Sequence, residues 1–244
     1  MEMIVSRRNP LCLHIRRLGA SRGYRQQCGE FLCDGGKLLE EALKEKAQVV
    51  AVLGCKGIPL PQPDGVRVCY ADRDLIDYLS PLKNAQGVLF TCKVPKEQSG
   101  HAPGTHILLD GLQDPGNVGA IIRTADAFGI KSVILACGCA DPYNPKAVRA
   151  SMGAVFRQKI RHAGYKELKK LKEEGVRFVA AAPGSSDISG AEIKGSIIAI
   201  GSEGGGLCPE VLCLCDERVW IPLEPGRESL NAAVAAGIII WSVR

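Results

Sequence analysis

Short apolar runs recur through the second half of this chain at intervals that leave room for a helix between them. The runs cover residues 106–109, 132–136, 177–182, 197–200 and 218–221. Each run is continuous instead of alternating in polarity, which is typical of a strand that is covered on both faces. Strands of this kind, separated by helical stretches, predict an α/β fold with a mainly parallel sheet.

The first hundred residues alternate helix and strand signals over shorter distances. The predicted elements are a helix over residues 36–46, a strand over 49–53, a helix over 72–79 and a strand over 87–92. Residues 96–105 have no periodicity and are rich in residues that break helices and strands, which indicates a linker. A chain of 244 residues can hold two modest domains. The predicted division is a small α/β domain over residues 1–95 and a larger α/β domain over 106–244.

Positive charge is concentrated at the start of the chain. Residues 1–27 contain six arginines and a single acid, Glu2, whereas the net charge of the whole chain is +5, so the remaining sequence is balanced. A segment of this kind fits contact with a polyanion such as RNA or DNA, and a solvated basic face is the alternative.

The cysteines and the N-terminus indicate the compartment. Eleven cysteines are present, and several, such as Cys69, Cys92, Cys137 and Cys213, lie inside apolar runs, so buried and reduced thiols are expected. The spacing of cysteines and histidines does not match that of metal ligands, and no metal site is predicted. No segment has the length and apolarity of a membrane span, and the charged start lacks the apolar stretch of a signal peptide. The predicted location is the cytoplasm.

The first of three polar clusters follows the run that ends at Leu109. A Gly/Pro loop leads from Asp110 to a helix that is predicted to begin near Asn117, with Asn117 as its N-cap. Arg123 stands in a stretch that is otherwise apolar, so a buried or half-buried guanidinium is expected there. Because such a group needs an anionic or hydrogen-bonding partner, a functional role is predicted for Arg123, and a surface arginine is the alternative.

The second cluster is a glycine loop that directly follows the run at 197–200. Four glycines within residues 201–206 surround one acid, Glu203. Glycine lets the backbone approach a ligand closely and leaves N–H groups free to bind it, although a tight turn with positive φ has the same composition. The spacing matches neither the dinucleotide fingerprint G-x-G-x-x-G nor a Walker motif with its lysine.

The third cluster is Ser229-Leu230-Asn231, which follows a Pro/Gly loop. Residues 229–243 are rich in Ala and Ile and apolar nearly all round, which predicts a helix buried in the core or in a subunit interface. Ser229 is predicted to cap this helix if it has no role towards a ligand. The preceding loop carries added charge at Glu224, Arg227 and Glu228, which bears on substrate preference.

Taken together, in this order and spacing, the three clusters resemble the signature motifs N-x-G-x-x-x-R-T-A, G-x-E-G-x-G and S-L-N of the SpoU branch of the SPOUT superfamily. Members of this branch are S-adenosylmethionine-dependent RNA 2′-O-ribose methyltransferases. The motifs fall at residues 117–125, 201–206 and 229–231. Residues 31–43 also resemble the pattern F-x-x-E-G-x-K-x-x-x-E-A of the RNA substrate-binding domain that precedes many members, with Asp34 in place of the usual Glu.

The resemblance implies a fold that periodicity alone does not reveal. The C-terminal segment of the parallel sheet is implied to thread a loop and form a deep trefoil knot. In the family this knot forms the pocket for S-adenosylmethionine and the interface of a homodimer. The positions that match the family's cofactor contacts, mostly through backbone, are Gly201, Ile221 and Leu230. The domain over residues 1–95 is implied to resemble an RNA-binding ribosomal protein.

The resemblance also implies a set of catalytic residues. Methyl transfer to a ribose hydroxyl is an in-line displacement by a weak nucleophile, so the site must align the hydroxyl and stabilise the developing alkoxide. Arg123 matches the catalytic position, and we expect it to stabilise the oxyanion and to anchor a substrate phosphate. Asn117, Glu203, Ser229 and Asn231 are implied to hold Arg123 and the ribose in place.

Other functions remain open at the level of sequence. Ribosomal RNA is the predicted substrate, because an N-terminal domain of this kind is more usual in enzymes that act on it, and transfer RNA is the alternative. A catalytically inactive RNA-binding protein with the same fold is another, and the presence of all five motif residues argues against it. A nucleotide-dependent enzyme that binds phosphates with the glycine loop lacks a matching motif.

Overall fold

The structure is a computed structural model that describes residues 2–97, 100–224, 226 and 229–244, with the side chains of 183–185 outside the description. Arg227 and Glu228, which sequence analysis singled out, therefore lie outside the described residues. The chain divides into two compact units, each with its own sheet. The first unit comprises Met1–Lys96 and Asp141–Phe156, and the second comprises Glu97–Ala140 and Arg157–Arg244. This grouping differs from the contiguous division expected from sequence, because residues 141–156 belong to the first unit.

The regular elements alternate along most of the chain, as the sequence pattern predicts. In chain order they are β1 (Glu2–Met3), α1 (Pro10–Ala20), α2 (Arg22–Cys28), β2 (Glu30–Asp34), α3 (Gly36–Lys44), β3 (Val49–Cys55), β4 (Arg67–Ala71), α4 (Arg73–Leu79), β5 (Val88–Lys93), β6 (His106–Leu109), α5 (Pro115–Ala127), β7 (Ser132–Leu135), α6 (Pro145–Ser151), β8 (Ile160–His162), α7 (Tyr165–Glu173), β9 (Phe178–Asp187), β10 (Ile197–Ile200), α8 (Pro209–Leu212), β11 (Glu217–Trp220) and α9 (Ala232–Ser242). Short 3-10 turns follow α6 and β9.

The first unit is built on a mixed sheet in the order β1-β4-β3-β5-β2. β3 runs parallel to β4 but antiparallel to β5, and β5 runs antiparallel to β2. Helices α1 and α4 bury their apolar residues against this sheet, where Ile15, Leu18 and Ile76 join Leu53 and Leu89 in one core cluster. The unit therefore has a hydrophobic core of its own.

The second unit is built on a parallel sheet in the order β11-β9-β10-β6-β7-β8, in which every pairing is parallel. This confirms the predicted α/β fold with a parallel sheet. All four residues of β6 and of β10 are buried, as their unbroken apolar sequences predict. Leu168 and Leu171 of α7 pack in the same core cluster as Leu108 and Phe178.

Both helices that carry sequence motifs begin at residues other than those predicted. Helix α5 begins at Pro115, and its N-cap is Asp114, whose side chain accepts a hydrogen bond from the Asn117 amide. The assignment of Asn117 as the cap is therefore wrong. Helix α9 begins at Ala232 and is capped by Asn231, so the assignment of Ser229 as its cap is also wrong. In both helices the side chain of the N-cap residue accepts hydrogen bonds from amides of the first turn, which have no partner within the helix.

Two predictions of burial are corrected by the structure. Arg123 is exposed, because Val118, Ile121, Ile122 and Ala125 form the buried stripe of α5 and Arg123 lies outside it. All eleven cysteines are free thiols, and whereas Cys69 and Cys92 are buried, Cys137 and Cys213 are exposed. Cys137 follows β7 and Cys213 ends α8, and at both points the chain turns towards solvent.

Helix α9 is buried on one side only. Ala236, Ile239 and Ile240 are buried, and the helix packs against α5. Val234, Ile238 and Trp241 on its other side are exposed by 51%, 37% and 57%. Within the described part of the chain, no helix combines the length and apolarity that a membrane crossing requires, and no three metal-binding side chains come together.

Candidate active site

The three polar clusters lie on loops that leave the same edge of the parallel sheet. Leu109 and Ile200 are partners at the ends of β6 and β10, so the loops that follow them start side by side. The loop after β11 leaves the same edge, because β11 also runs parallel to its neighbour β9. The carboxyl edge of an open parallel sheet is the usual place of a ligand crevice in α/β proteins.

A single carboxylate oxygen joins all three loops. Oε1 of Glu203 accepts hydrogen bonds from the side-chain amides of Asn117 and Asn231, the latter at 3.0 Å. The backbone amide of Ala232 donates to the same oxygen at 3.4 Å. Glu203 also lies at the positive end of the α9 dipole, which favours a negative charge. The residues that the motifs predict in three separate loops are thus brought together at one acceptor.

Asn231 has two structural roles at this point. Its Nδ2 also donates to Oδ1 of Asn117 at 3.1 Å, which completes a triangle with Glu203. Its Oδ1 accepts from the amides of Ala233 and Val234 at 3.0 and 3.3 Å, which caps α9. Asn231 therefore fixes the start of α9 relative to the first turn of α5.

The glycine loop is folded tightly on itself. Ser202 and Gly206 exchange both backbone hydrogen bonds at 2.9 Å, and a Cβ on Gly201 would lie 2.1 Å from the carbonyl carbon of Gly206. Only glycine fits at position 201 for this reason. Buried Asp110 holds the end of the loop, since its Oδ2 accepts a hydrogen bond from the Cys208 amide at 2.7 Å.

Arg123 and Ser229 stand apart from the hydrogen-bonded triangle. Both are exposed, and neither side chain forms a hydrogen bond or ion pair with the part of the chain that the structure describes. Arg123 follows Asn117 by six residues on α5, which places it about 9 Å further along the helix and on a different side. Their predicted catalytic roles stay predictions.

The loop conformation fits a ligand that is held through backbone groups. Gly201, Ile221 and Leu230 are half-buried at the carboxyl edge, on the loops after β10 and β11. A Cβ on Gly204 would meet no heavy atom within 4 Å, so the outer backbone of the glycine loop is open to approach. These features suit the predicted cofactor positions, which stay predictions as individual contacts.

The model of the SpoU rRNA Methylase family matches residues 104–241 of this chain, which is more than half of its length. The chain belongs to the SpoU rRNA methylase family. The matched range covers the second unit from β6 to β11 and all of α9 except its last residue, and with them Asn117, Glu203 and Asn231.

Two relatives of this SpoU family chain match nearly its whole length, and a third matches just over half of it. The Bacillus subtilis protein named 23S rRNA (guanosine(2553)-2′-O)-methyltransferase RlmP is 31% identical, and the match covers 100% of each chain. The SpoU methyltransferase AviRb from Streptomyces viridochromogenes, solved in complex with the cofactor AdoMet, has a TM-score of 0.88 at 27% identity and covers 97% of each chain. The TrmH/SpoU tRNA modifying enzyme of A. aeolicus matches 57% of this chain and 73% of its own, with a TM-score of 0.51 and 25% identity.

Sequence reasoning missed two aspartates that shape the SpoU family site. Asp114 caps α5 and orients the turn that carries Asn117, and Asp110 holds the glycine loop. The Asp-Pro pair at 114–115 is the standard sequence of an N-cap followed by proline at the first helical position, so it could have been recognised. The contact of Asp110 with Cys208 spans 98 residues of sequence and leaves no local signal.

Proposed function

We propose that this protein transfers a methyl group from S-adenosylmethionine to a ribose 2′-hydroxyl of RNA. Membership of the SpoU family supports this reaction, since RlmP is named as a 23S rRNA 2′-O-methyltransferase and AviRb was solved with the cofactor AdoMet. The observation that carries the proposal is the convergence of Asn117 and Asn231, which both donate to one carboxylate oxygen of Glu203. These contacts hold together the segments that carry the proposed cofactor and ribose positions, as catalysis at this edge of the sheet would require.

The proposed chemistry assigns a distinct task to each group. S-adenosylmethionine, when bound at Gly201, Ile221 and Leu230, supplies an activated methyl group on its sulfonium. The ribose hydroxyl loses its proton to solvent as its oxygen takes up the methyl group, and Arg123 stabilises the negative charge that develops on this oxygen and anchors a neighbouring phosphate. Because a guanidinium stays protonated in proteins, its contribution is electrostatic. Asn117, Glu203 and Asn231 fix the loops, and Ser229, next to them in the third motif, orients the ribose.

Ribosomal RNA is the proposed substrate. Relatives named for ribosomal RNA match the whole chain, including the first unit, whereas the A. aeolicus tRNA enzyme matches 57% of it. The first unit, in this proposal, is the substrate-binding domain, and the second is the methyltransferase domain. A location in the cytoplasm follows from a ribosomal RNA substrate and agrees with eleven free thiols.

We also propose that the second unit is knotted and forms a homodimer. The knot is proposed from family membership, because the motif loops after β10 and β11 belong to the segment that threads in this family. The dimer is supported by the exposed apolar side of α9, since exposed patches of this kind mark interaction surfaces.

Labelled methyl transfer to separate pools of unmodified ribosomal RNA and transfer RNA tests this function. A 2′-O-methyl group blocks the internal attack that cleaves RNA in alkali, so alkaline hydrolysis will leave the label in dinucleotides. We expect this label in the ribosomal pool. Label in the transfer RNA pool alone would replace the proposed substrate, and failure to bind S-adenosylmethionine would favour the inactive RNA-binding protein.

Arg123→Ala is expected to bind S-adenosylmethionine normally and to reduce methyl transfer at least a hundredfold, because a charge that acts only on the transition state is removed. Cofactor binding is measured by calorimetry and transfer by single-turnover label incorporation. Arg218→Ala is the matched control, since Arg218 is an exposed arginine of the same unit outside the motifs. Undiminished turnover of Arg123→Ala would exclude the proposed role.

A further inference from the structure

The arginines near the N-terminus differ in their surroundings, although the sequence presents them as one basic segment. Arg25 is buried and forms an ion pair with Asp141, so it belongs to the internal structure of the first unit. Arg7, Arg8, Arg16 and Arg17 are exposed on α1 or just before it. Within this segment, Arg25 is therefore not accessible to a partner, whereas these four arginines are.

Two of these arginines are held on one aromatic ring. The guanidinium carbon of Arg7 lies 4.0 Å from the centroid of Tyr78, and that of Arg16 lies 4.5 Å from it. Arg16 also donates a hydrogen bond to the Tyr78 hydroxyl. A guanidinium that stacks through its face keeps N–H groups along its edge for other acceptors. We call Arg7, Arg16 and Tyr78 the arginine–tyrosine cluster.

The positive charge of the cluster is not balanced by nearby acids. Arg7, Arg8, Arg16 and Arg17 form no ion pair with any residue that the structure describes. By contrast, several other cations of the first unit are paired with acids, namely Arg67 with Glu2, Arg73 with Asp77 and Lys93 with Glu30. The amino end of α1, which Arg7 and Arg8 precede, adds the positive end of a helix dipole.

We propose that the arginine–tyrosine cluster binds the phosphate backbone of the substrate RNA. This inference rests on the proposed function for the identity of the partner. Stacking on Tyr78 restricts both guanidiniums before RNA arrives, so less conformational entropy is lost on binding. Phosphates are alike at every nucleotide, so the cluster supplies affinity and orientation without selecting a sequence.

The test compares RNA binding by Arg7→Gln, Arg16→Gln and the double variant of the full chain. Affinity for an unmodified 23S rRNA transcript is measured over a salt series without S-adenosylmethionine. Each substitution is expected to weaken binding roughly tenfold. It should also make the slope of log affinity against log salt concentration, called the salt slope below, shallower by about one, because one fewer counterion is released. In methyl transfer the KM for RNA should rise with little change in kcat.

Two further variants distinguish the cluster from general positive charge. Arg67→Gln removes an exposed arginine of the same unit that is already paired with Glu2, so it should leave the salt slope unchanged. Tyr78→Leu keeps the net charge but removes the ring, and it should still weaken RNA binding. Its melting temperature shows whether the fold is retained, and Tyr78→Phe, which keeps the ring, should bind nearly as well as the natural protein.

The outcomes separate this inference from the proposed function. Equal losses in Arg67→Gln and the cluster variants, or no loss in either, would overturn the cluster as the RNA contact. Cluster variants that alone lose salt-sensitive binding would support it, even if the natural protein transferred no methyl group. In that case the proposed function would fail and the RNA contact would stand.

Discussion

At the scale of single residues, Asn231 combines a structural and a site role that substitutions can separate. Asn231→Ala removes the cap of α9, which should lower the free energy of unfolding by about 1 kcal/mol. It also removes the side-chain amide that donates to Glu203 and Asn117. Asn231→Ser keeps an oxygen for the cap but has no amide donor. We expect Asn231→Ser to recover most of the stability while methyl transfer stays at least tenfold reduced. Full activity of Asn231→Ser, with unfolding measured in urea alongside, would show that capping is its whole role.

His106 makes stability depend on pH. Burial lowers the pKa of this histidine to about 4, and Arg161, Lys131 and the adjacent His101 act in the same direction. Its Nε2 lies 2.9 Å from the Ala102 carbonyl, and its Nδ1 lies 2.7 Å from the Ser132 hydroxyl, which suits the neutral ring. The unfolded chain binds a proton near pH 6.5, so stability is full above that value and falls as the pH drops towards 4.

From this shift we expect the free energy of unfolding to be about 2 kcal/mol lower at pH 5 than at pH 7 through His106 alone. Urea unfolding of the natural protein and of His106→Gln at both values measures this contribution. The substitution should flatten the pH dependence by that amount. Equal slopes in the natural protein and His106→Gln would show that other groups cause the effect.

At the scale of elements, positions within the glycine loop differ sharply in the space that they leave for a side chain. An alanine Cβ at Gly201 would overlap the backbone of Gly206, whereas one at Gly204 meets open space. We expect Gly201→Ala to lower cofactor affinity at least tenfold and to reduce the melting temperature, because the loop must open. Gly204→Ala should leave the melting temperature within a degree or two. Normal cofactor binding by Gly201→Ala, measured by calorimetry, would contradict a role of the closed loop.

The sequence predicts those elements best whose pattern does not depend on distant partners. β6 and β10 have the predicted bounds, since each is an unbroken apolar run between polar residues. The start of α9 was placed three residues too early, because Ser229 is as good a cap by composition as Asn231. The choice between them depends on Glu203, which arrives from another loop. The three-residue strand β8 is too short for any periodicity.

The dependence on distant contacts also limits what the sequence predicts about the candidate active site. Asn117, Glu203 and Asn231 could be expected to meet, because each follows a strand of one parallel sheet. The exposure of Arg123 was missed, because its apolar neighbours in sequence suggest burial. Helical geometry places those neighbours on another side of α5, and only the position of the stripe reveals this.

At the scale of the whole molecule, the chain returns to its first unit after entering its second. Residues 141–156 group with the first unit, and Arg25 is joined there to Asp141 by an ion pair across 116 residues of sequence. Helix α6 also packs against β2. No local pattern marks this return, because it depends on a contact between distant segments. The composition of residues 96–105 therefore predicts the boundary between the two units near residue 96. It does not predict that residues 141–156 return to the first unit.

The exposed side of α9 leads to a prediction about assembly. Val234, Ile238 and Trp241 follow one another at helical spacing, and Trp241 makes an edge-to-face contact with exposed Phe128 at 5.7 Å. An apolar surface of this kind is costly in water, and a second copy of the chain would cover it through a two-fold axis. We therefore expect Ile238→Glu to shift the protein from the mass of two chains to the mass of one in sedimentation equilibrium. Val5→Glu, at an exposed apolar position of the first unit, is the control and should remain a dimer. If Ile238→Glu sediments as a dimer, this side of α9 is not the interface, and another surface must be sought.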